Sequence, residues 1–326
     1  MTGVTPVTGV TPWRDWLLHL GVIALLFGLQ FVLPPYHYSN LSKIMVMASF
    51  AIGYNVLLGY SGLLSLGHAM FFAAGLYGAG LTVSHLGFDP LSGFLAGLAA
   101  GLCLSIVIGM VALRTSGVSF MIVTLMFAQA GYLLTLYFGE ITRGDEGFVL
   151  KENLLRVVIG DWDFNLIEPV ARFNLALLLF AVCLFVSLVL VRSAVGRVLI
   201  AVRENEQRTI MLGYHAFRYK LLALVISGTM SGAAGATYAL LFTYVGATFA
   251  AIQYSILPLL WVLLGGAGTT LGPLLGTILM FYLVDVSSGE TSSYMLLVGA
   301  ALVILVLWAP KGILGTLREK KVPWLP

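Results

Sequence analysis

The sequence predicts an all-α polytopic membrane protein of about ten transmembrane helices with glycine-rich breaks. Three observations carry that reading. Of 326 residues, 60% are hydrophobic and only 10% are charged, against roughly 25% charged in an ordinary soluble domain. Long apolar runs recur along the chain, and mean hydropathy is +0.99. The basic residues cluster in two segments, 192–220 and 311–321. Thirty-one charges cannot cover a soluble surface of this size, so a soluble enzyme, a nucleic-acid binder and a disordered chain are excluded. A β-barrel is excluded too, because its strands alternate and these runs are continuous. In hydrocarbon an unpaired backbone group costs several kcal/mol, so each span must be helical.

The first residues carry TGVTP twice, at Thr2–Pro6 and Thr8–Pro12. This polar, Pro-rich stretch predicts a mobile cytoplasmic arm over 1–15. Trp13 and Trp16 then suit a membrane interface. A single preceding base and the lack of a small-residue cleavage site favour an uncleaved first span over a signal peptide. A span needs about 20 apolar residues. Ten candidates follow: Leu17–Leu33, Leu41–Leu58, Leu66–Ser84, Leu91–Leu113, Gly117–Phe138, Arg172–Val191, Leu221–Phe242, Ala251–Leu264, Leu271–Val286 and Ser292–Trp308. The eighth and ninth are short and are read as paired shortened helices meeting at a glycine-rich break. The permease domain thus covers 16–310, with an external loop at 139–171, a cytoplasmic loop at 192–220 and a cytoplasmic tail at 311–326.

Charge placement agrees with that count. With the N-terminus inside, ten spans place twelve bases on the cytoplasmic side and five outside. The outer segment 139–171 holds seven acids and three bases. This is the positive-inside asymmetry. Merging the eighth and ninth spans would put the basic tail outside. Cys103 and Cys183 both lie in apolar runs and are read as buried, inert thiols rather than a disulfide.

Three segments interrupt the apolar pattern. Asn55–His68, NVLLGYSGLLSLGH, holds Gly59, Gly62 and Gly67 with Ser61 and Ser65. Leu263–Pro273, LLGGAGTTLGP, holds Gly265, Gly266, Gly268 and Gly272. Both contain LLGxxG, a hint of internal duplication. Irregular backbone survives at membrane depth only where protein or water satisfies it. The breaks are therefore candidate linings of a substrate path, or else sites of tight helix crossing. Asn55, Ser61, Ser65, His68, Thr124 and Gln129 are the path candidates. For Asn55 or Gln129 alone, interhelical hydrogen bonding is the competing role. No carboxylate pair, metal-ligand cluster or nucleophile triad is present, so no catalytic or metal site is predicted. The second break lacks the lysine of a phosphate loop, so no nucleotide site is predicted either.

The third segment is 192–220. Its centre reads as a short amphipathic helix capped by Asn205 and ended by Gly213. Glu206, Gln207 and Arg208 are placed toward water, and Ile210, Met211 and Leu212 supply apolar contact. A stiff helix on the cytoplasmic face could transmit force to a partner; a solvated loop is the alternative.

At this loop the chain becomes recognisable. GRVLIAVRENEQRTIMLG and YKLLALVISGTMSGAAGATYA resemble the membrane permeases of branched-chain amino-acid ABC importers. GYNVLLGYSGLLSLGHAMFFAAGLYGAG, SFMIVTLMFAQ, SILPLLWVLLGGAGTTLGPLLGT and LWAPKGILG match further family blocks in order, over roughly Ile44 to Gly315. TRGDEG resembles an outer T-x-G-x-x-G turn, with Thr142, Gly144 and Gly147. The resemblance implies the ABC importer permease fold in a bacterial inner membrane. It also implies a second related permease, two cytoplasmic ATPases that bind ATP and magnesium, and a periplasmic or lipid-anchored solute-binding protein. This chain would hold no cofactor and contact no nucleic acid. By match, Gly196, Arg197, Arg203, Glu204, Asn205, Glu206 and Gly213 form the ATPase-coupling contact. The chain departs from the family at Arg208 and Thr209, where two alanines are common. Permeases for urea or short amides look alike and are the alternative, followed by an ion-coupled secondary transporter.

Overall fold

The computed structural model describes residues 12–159, 162–290 and 311–320, with 296, 299, 300, 303, 304 and 307–309. Helices dominate. In order they are α1 (Pro12–Leu29), α2 (Pro35–Asn55), α3 (His68–Leu86), α4 (Pro90–Ala112), α5 (Val118–Tyr137), α6 (Pro169–Arg192), α7 (Ala194–Glu204), α8 (Glu206–Met211), α9 (Ala216–Phe242), α10 (Ile252–Gly265), α11 (Gly272–Glu290) and α12 (Gly312–Lys320). A π-turn, Val56–Tyr60, extends α2. Seven described helices are long and apolar enough to cross a membrane, which makes the chain a multi-pass membrane protein. They coincide with the second to seventh and the ninth expected spans.

The remaining three expectations fare differently. The first span is an 18-residue helix that begins at Pro12, five residues ahead of Leu17. Residues 12–15 are therefore helical rather than part of an arm; residues 1–11 lie outside the described residues. Asp15 is buried and ion-pairs with Arg192, which fixes this end against α6. The eighth span is a 14-residue helix, separate from α11; the expected pair of shortened helices is corrected, since α11 runs 19 residues and is long enough to cross. The tenth, Ser292–Trp308, falls mostly outside the described residues.

Helix starts follow local chemistry. Pro35, Pro90 and Pro169 each occupy a first-turn position, where the missing N–H costs nothing. Asp89 caps α4 by accepting from the Ser92 N–H and hydroxyl. These bonds favour the ionised form and hold the Asp89 carboxyl below its ordinary value. Gly87 ends α3 in the left-handed conformation at φ 66°.

α2 lies at the centre and packs against α6, α9, α10 and α11. Beside it, α3, α4 and α9 cross closely through small residues. A Cβ on Gly101 would sit 2.9 Å from the Gly232 Cα, so two backbones approach there as in small-residue membrane crossings. α4 and α5 turn Leu95, Val107, Val111, Ile122 and Met126 outward, as lipid-facing surfaces allow. Cys183 is buried and Cys103 is exposed on α4. The expectation for Cys103 is thus corrected: an apolar run does not distinguish a lipid-facing residue from a core one.

The expected outer loop 139–171 is partly ordered. Phe148–Val149 (β1) pairs antiparallel with Tyr244–Val245 (β4), and Arg156–Ile159 (β2) with Trp162–Asn165 (β3). The all-α class holds for the spans; these short ladders lie beyond the helix ends.

Candidate functional site

The two glycine breaks meet. The side chain of Asn55 joins them. Its Nδ2 donates to the Thr269 carbonyl at 2.9 Å, and its Oδ1 accepts from the Gly268 N–H at 2.9 Å. Both are backbone groups left unpaired where α10 stops and α11 has yet to begin. A buried polar backbone group without a partner costs about 1–3 kcal/mol, so one amide resolves two such problems. Gly59 and Gly268 allow the approach. A Cβ on Gly59 would overlap the Gly268 backbone, and Gly268 itself has φ 74°. On the far side of the second break, a Cβ on Gly265 would overlap the Gly272 carbonyl. Gly266 sits at φ 123° against the backbone of Gly315 in α12. The two LLGxxG segments therefore touch each other.

Two arginines close this junction from outside the spans. The Arg203 guanidinium, at the end of α7, donates to the Gly59 carbonyl. The Arg318 guanidinium, on α12, donates to the Gly268 carbonyl at 3.2 Å. Gly62, at φ 72°, leaves room for the Arg203 stem: a Cβ there would lie 2.6 Å from its Cγ. The loop expected to meet a partner is thus bonded to the first break. Arg203 points its charge inward, not only toward a partner.

The loop is two helices rather than one rod. In α7, Val198, Leu199 and Val202 are buried while Arg197 and Glu204 are exposed. Ser193 caps α7 through the Gly196 N–H, and Gly196 fits where a Cβ would meet the Val191 carbonyl at 2.6 Å. Asn205 breaks the pair in extended conformation and caps α8 by accepting from the Arg208 N–H at 2.9 Å. Gly213 ends it at φ 90°. Thr209 is buried and donates to the Asn205 carbonyl. The departure from alanine is therefore accommodated at Thr209 by a bond to its own turn. Glu206 pairs with Lys220 at 2.6 Å, and the base of the loop is thereby held to α9. Ile210, Met211 and Leu212 project outward at 52%, 80% and 70% exposure.

The path candidates fall into two groups. Asn55, Ser61, Ser65, His68 and Thr124 are buried together around the first break. The Ser61 hydroxyl donates to the Leu57 carbonyl, and Thr124 donates to Met121 while accepting from the Leu66 N–H. Ser65 accepts from the Gly67 N–H with its hydroxyl and from the Tyr54 hydroxyl with its carbonyl. A Cβ on Gly67 would overlap the Thr124 carbonyl, which presses the break onto α5. His68 Nε2 lies 2.8 Å from the Ser227 hydroxyl, and its Nδ1 is buried without a partner. Gln129 does not join them; it is exposed on α5. Its position three residues from Met126, which is also exposed, puts it on the outer face. At the other end, the Thr142 hydroxyl donates to the Thr135 and Phe138 carbonyls and accepts from the Gly144 N–H. Gly144 and Gly147 take φ 54° and 66°, and a Cβ on Gly147 would lie 2.5 Å from the Val245 carbonyl. This turn holds β1 against β4.

Sequence reasoning missed Arg318 and His19. His19 shares hydrogen bonds with the Asp15 carbonyl and, at 2.7 Å, the Thr270 hydroxyl, so α1 also reaches the second break. A lone histidine in a span was the available signal. Among the described residues no cluster of three or more metal-ligating side chains occurs.

Comparison with known proteins places the chain in a family. Residues 38–307 match the family model of branched-chain amino acid transport system permease components. The chain is 32% identical over 299 residues to the high-affinity branched-chain amino acid transport system permease protein LivM of Escherichia coli K12, covering 85% of this chain and 69% of the relative. The LivM protein of Salmonella typhimurium LT2 gives the same identity and coverage. No solved structure matches the chain. A multi-pass helical bundle with two joined glycine breaks, matched over most of its length, belongs to the family of branched-chain amino acid transport system permease components.

Proposed function

We propose that the chain is the membrane-spanning subunit of an ATP-driven importer, and that it translocates branched-chain amino acids delivered by a solute-binding protein. In this reading two cytoplasmic ATPases bind ATP and magnesium and supply the energy. A second related permease completes the pore, and both termini face the cytoplasm. The observation that carries the reading is the Arg203 bond to the Gly59 carbonyl. It links the exposed apolar tip of α8, through α7, to the junction of the two breaks. The exposed Ile210, Met211 and Leu212 offer the partner a hydrophobic anchor, since exposed apolar patches of this kind mark interaction sites. Gly196, Arg197, Glu204, Asn205, Glu206 and Gly213 shape and flank that contact.

The mechanism follows from the bonds. Closure of the ATPases moves α7 and α8, and Arg203 pulls on Gly59. Asn55 passes the displacement to Gly268 and Thr269, because its amide bonds both. The breaks then separate, and Ser61, Ser65, His68 and Thr124 become the walls of a transient path. A purely mechanical subunit needs no titratable group at mid-membrane. The test is reconstitution in proteoliposomes. Leucine uptake against its gradient should require the ATPases, ATP and the binding protein. Uptake driven by an ion gradient, with no ATPase present, contradicts the proposal.

A further inference from the structure

At the opposite end of α2 lies a cavity of about 350 Å³ between α2, α6, α9 and β1. Lys43, Arg172, Glu152, Tyr238 and Phe242 are among its lining residues. Lys43 and Arg172 converge on one aromatic ring: the ammonium lies 5.8 Å and the guanidinium 5.6 Å from the Phe242 centroid. Among the described residues, neither cation has a carboxylate within ion-pairing distance. Arg172 gives one N–H to the Ile167 carbonyl, but its Nε is buried without an acceptor. A buried donor with no partner is costly, and two cations gathered around one ring repel each other. An oxyanion seated between them relieves both problems. Glu152, exposed and, among the described residues, in no ion pair, lines the same cavity. It offers an acceptor for a positive group attached to that oxyanion. Leu150 and Tyr238 add apolar and aromatic wall, and Ser39 adds a hydroxyl. Thr243, also on the wall, holds a left-handed φ of 65° and accepts the Leu150 N–H. Such conformations in β-branched residues cluster at ligand clamps.

We infer that this cavity binds a small zwitterion, with its oxyanion held by Lys43 and Arg172 and its ammonium group by Glu152. Two sources carry that chemistry, a free amino acid and the headgroup of phosphatidylethanolamine. The amino-acid arm rests on the transport function proposed above; the headgroup arm does not.

The full chain, purified in detergent without phosphatidylethanolamine, is titrated calorimetrically with L-leucine and with 4-methylpentanoate, which lacks the ammonium group. It is then placed in nanodiscs of phosphatidylcholine with or without phosphatidylethanolamine, and headgroup retention is read by native mass spectrometry. Binding of leucine, of phosphatidylethanolamine or of both supports the inference and identifies the source. Lys43→Gln and Arg172→Gln should each weaken that binding at least tenfold. Glu152→Gln should weaken the zwitterion and leave 4-methylpentanoate unchanged. Protection of the Leu150 amide from hydrogen exchange should accompany binding in the native chain, which reads the site without any variant. The inference is overturned if the native chain binds neither zwitterion, or if the Lys43 and Arg172 variants bind as tightly as it does. A chain that imports leucine with its partners yet binds nothing here overturns this inference alone. A chain that binds here but shows no ATP-driven uptake overturns only the transport proposal.

Discussion

The two ends of α2 handle polar groups in opposite ways. Toward Asn55, an amide is fully engaged with the backbone of the second break, and two arginines cap neighbouring carbonyls. Toward Lys43, about 18 Å away by helical rise, two cations face one ring and an arginine Nε has no acceptor. The first end is a joint in which Asn55 and both arginines find their partners within the chain, although the neighbouring His68 Nδ1 and Tyr60 hydroxyl do not. The second is a site whose partner must come from elsewhere. Substitutions at the joint should therefore destabilise the protein, whereas substitutions at the cavity should leave stability intact and change what binds.

The largest effect is expected from Gly59→Val. Its side chain would force Gly268 away, adding overpacking of about 1–3 kcal/mol to the loss of both Asn55 bonds. Thermal unfolding in detergent should show a lower midpoint than for any other variant described here. Asn55→Ala removes the bridge alone and leaves two buried backbone groups unpaired, at about 1–3 kcal/mol each. A midpoint equal to that of the native chain would show that the breaks are not joined through this residue. Asn205→Ala removes a helix cap and should cost about 1 kcal/mol, read as faster hydrogen exchange confined to α8. Acidification gives a smaller effect at the α4 cap. The Asp89 carboxyl is held below its ordinary value by Ser92, so its contribution is present above the unfolded value and lost as pH falls through the folded one. Asp89→Asn should flatten that dependence. The smallest effect is expected from Lys43→Gln, within about 0.5 kcal/mol of native stability, because it removes repulsion along with a charge. A large loss there would make Lys43 part of the scaffold and erase the contrast between the two ends.

Much of this was legible in the sequence. Seven spans follow from apolar runs alone, and the bounds of α8 follow from Asn205 and Gly213, whose capping signals are local; α7 ahead of it was not read. The meeting of the two breaks was only hinted at by their shared LLGxxG. The clamps were not legible. Arg318 and Gly268 lie 50 positions apart, and nothing near a C-terminal arginine marks it as inward-facing. Gln129 was placed with the path by polarity, yet helical phase puts it outside. Arg172 was read as the edge of a span, because a charge at a helix end looks the same whether it snorkels to water or lines a cavity.

The direct test of the mechanical account is Arg203→Gln in the assembled transporter, with leucine uptake and ATP hydrolysis measured on the same proteoliposomes. The account predicts that the complex assembles and hydrolyses ATP while uptake falls at least tenfold. Uptake and hydrolysis both at native levels would contradict it.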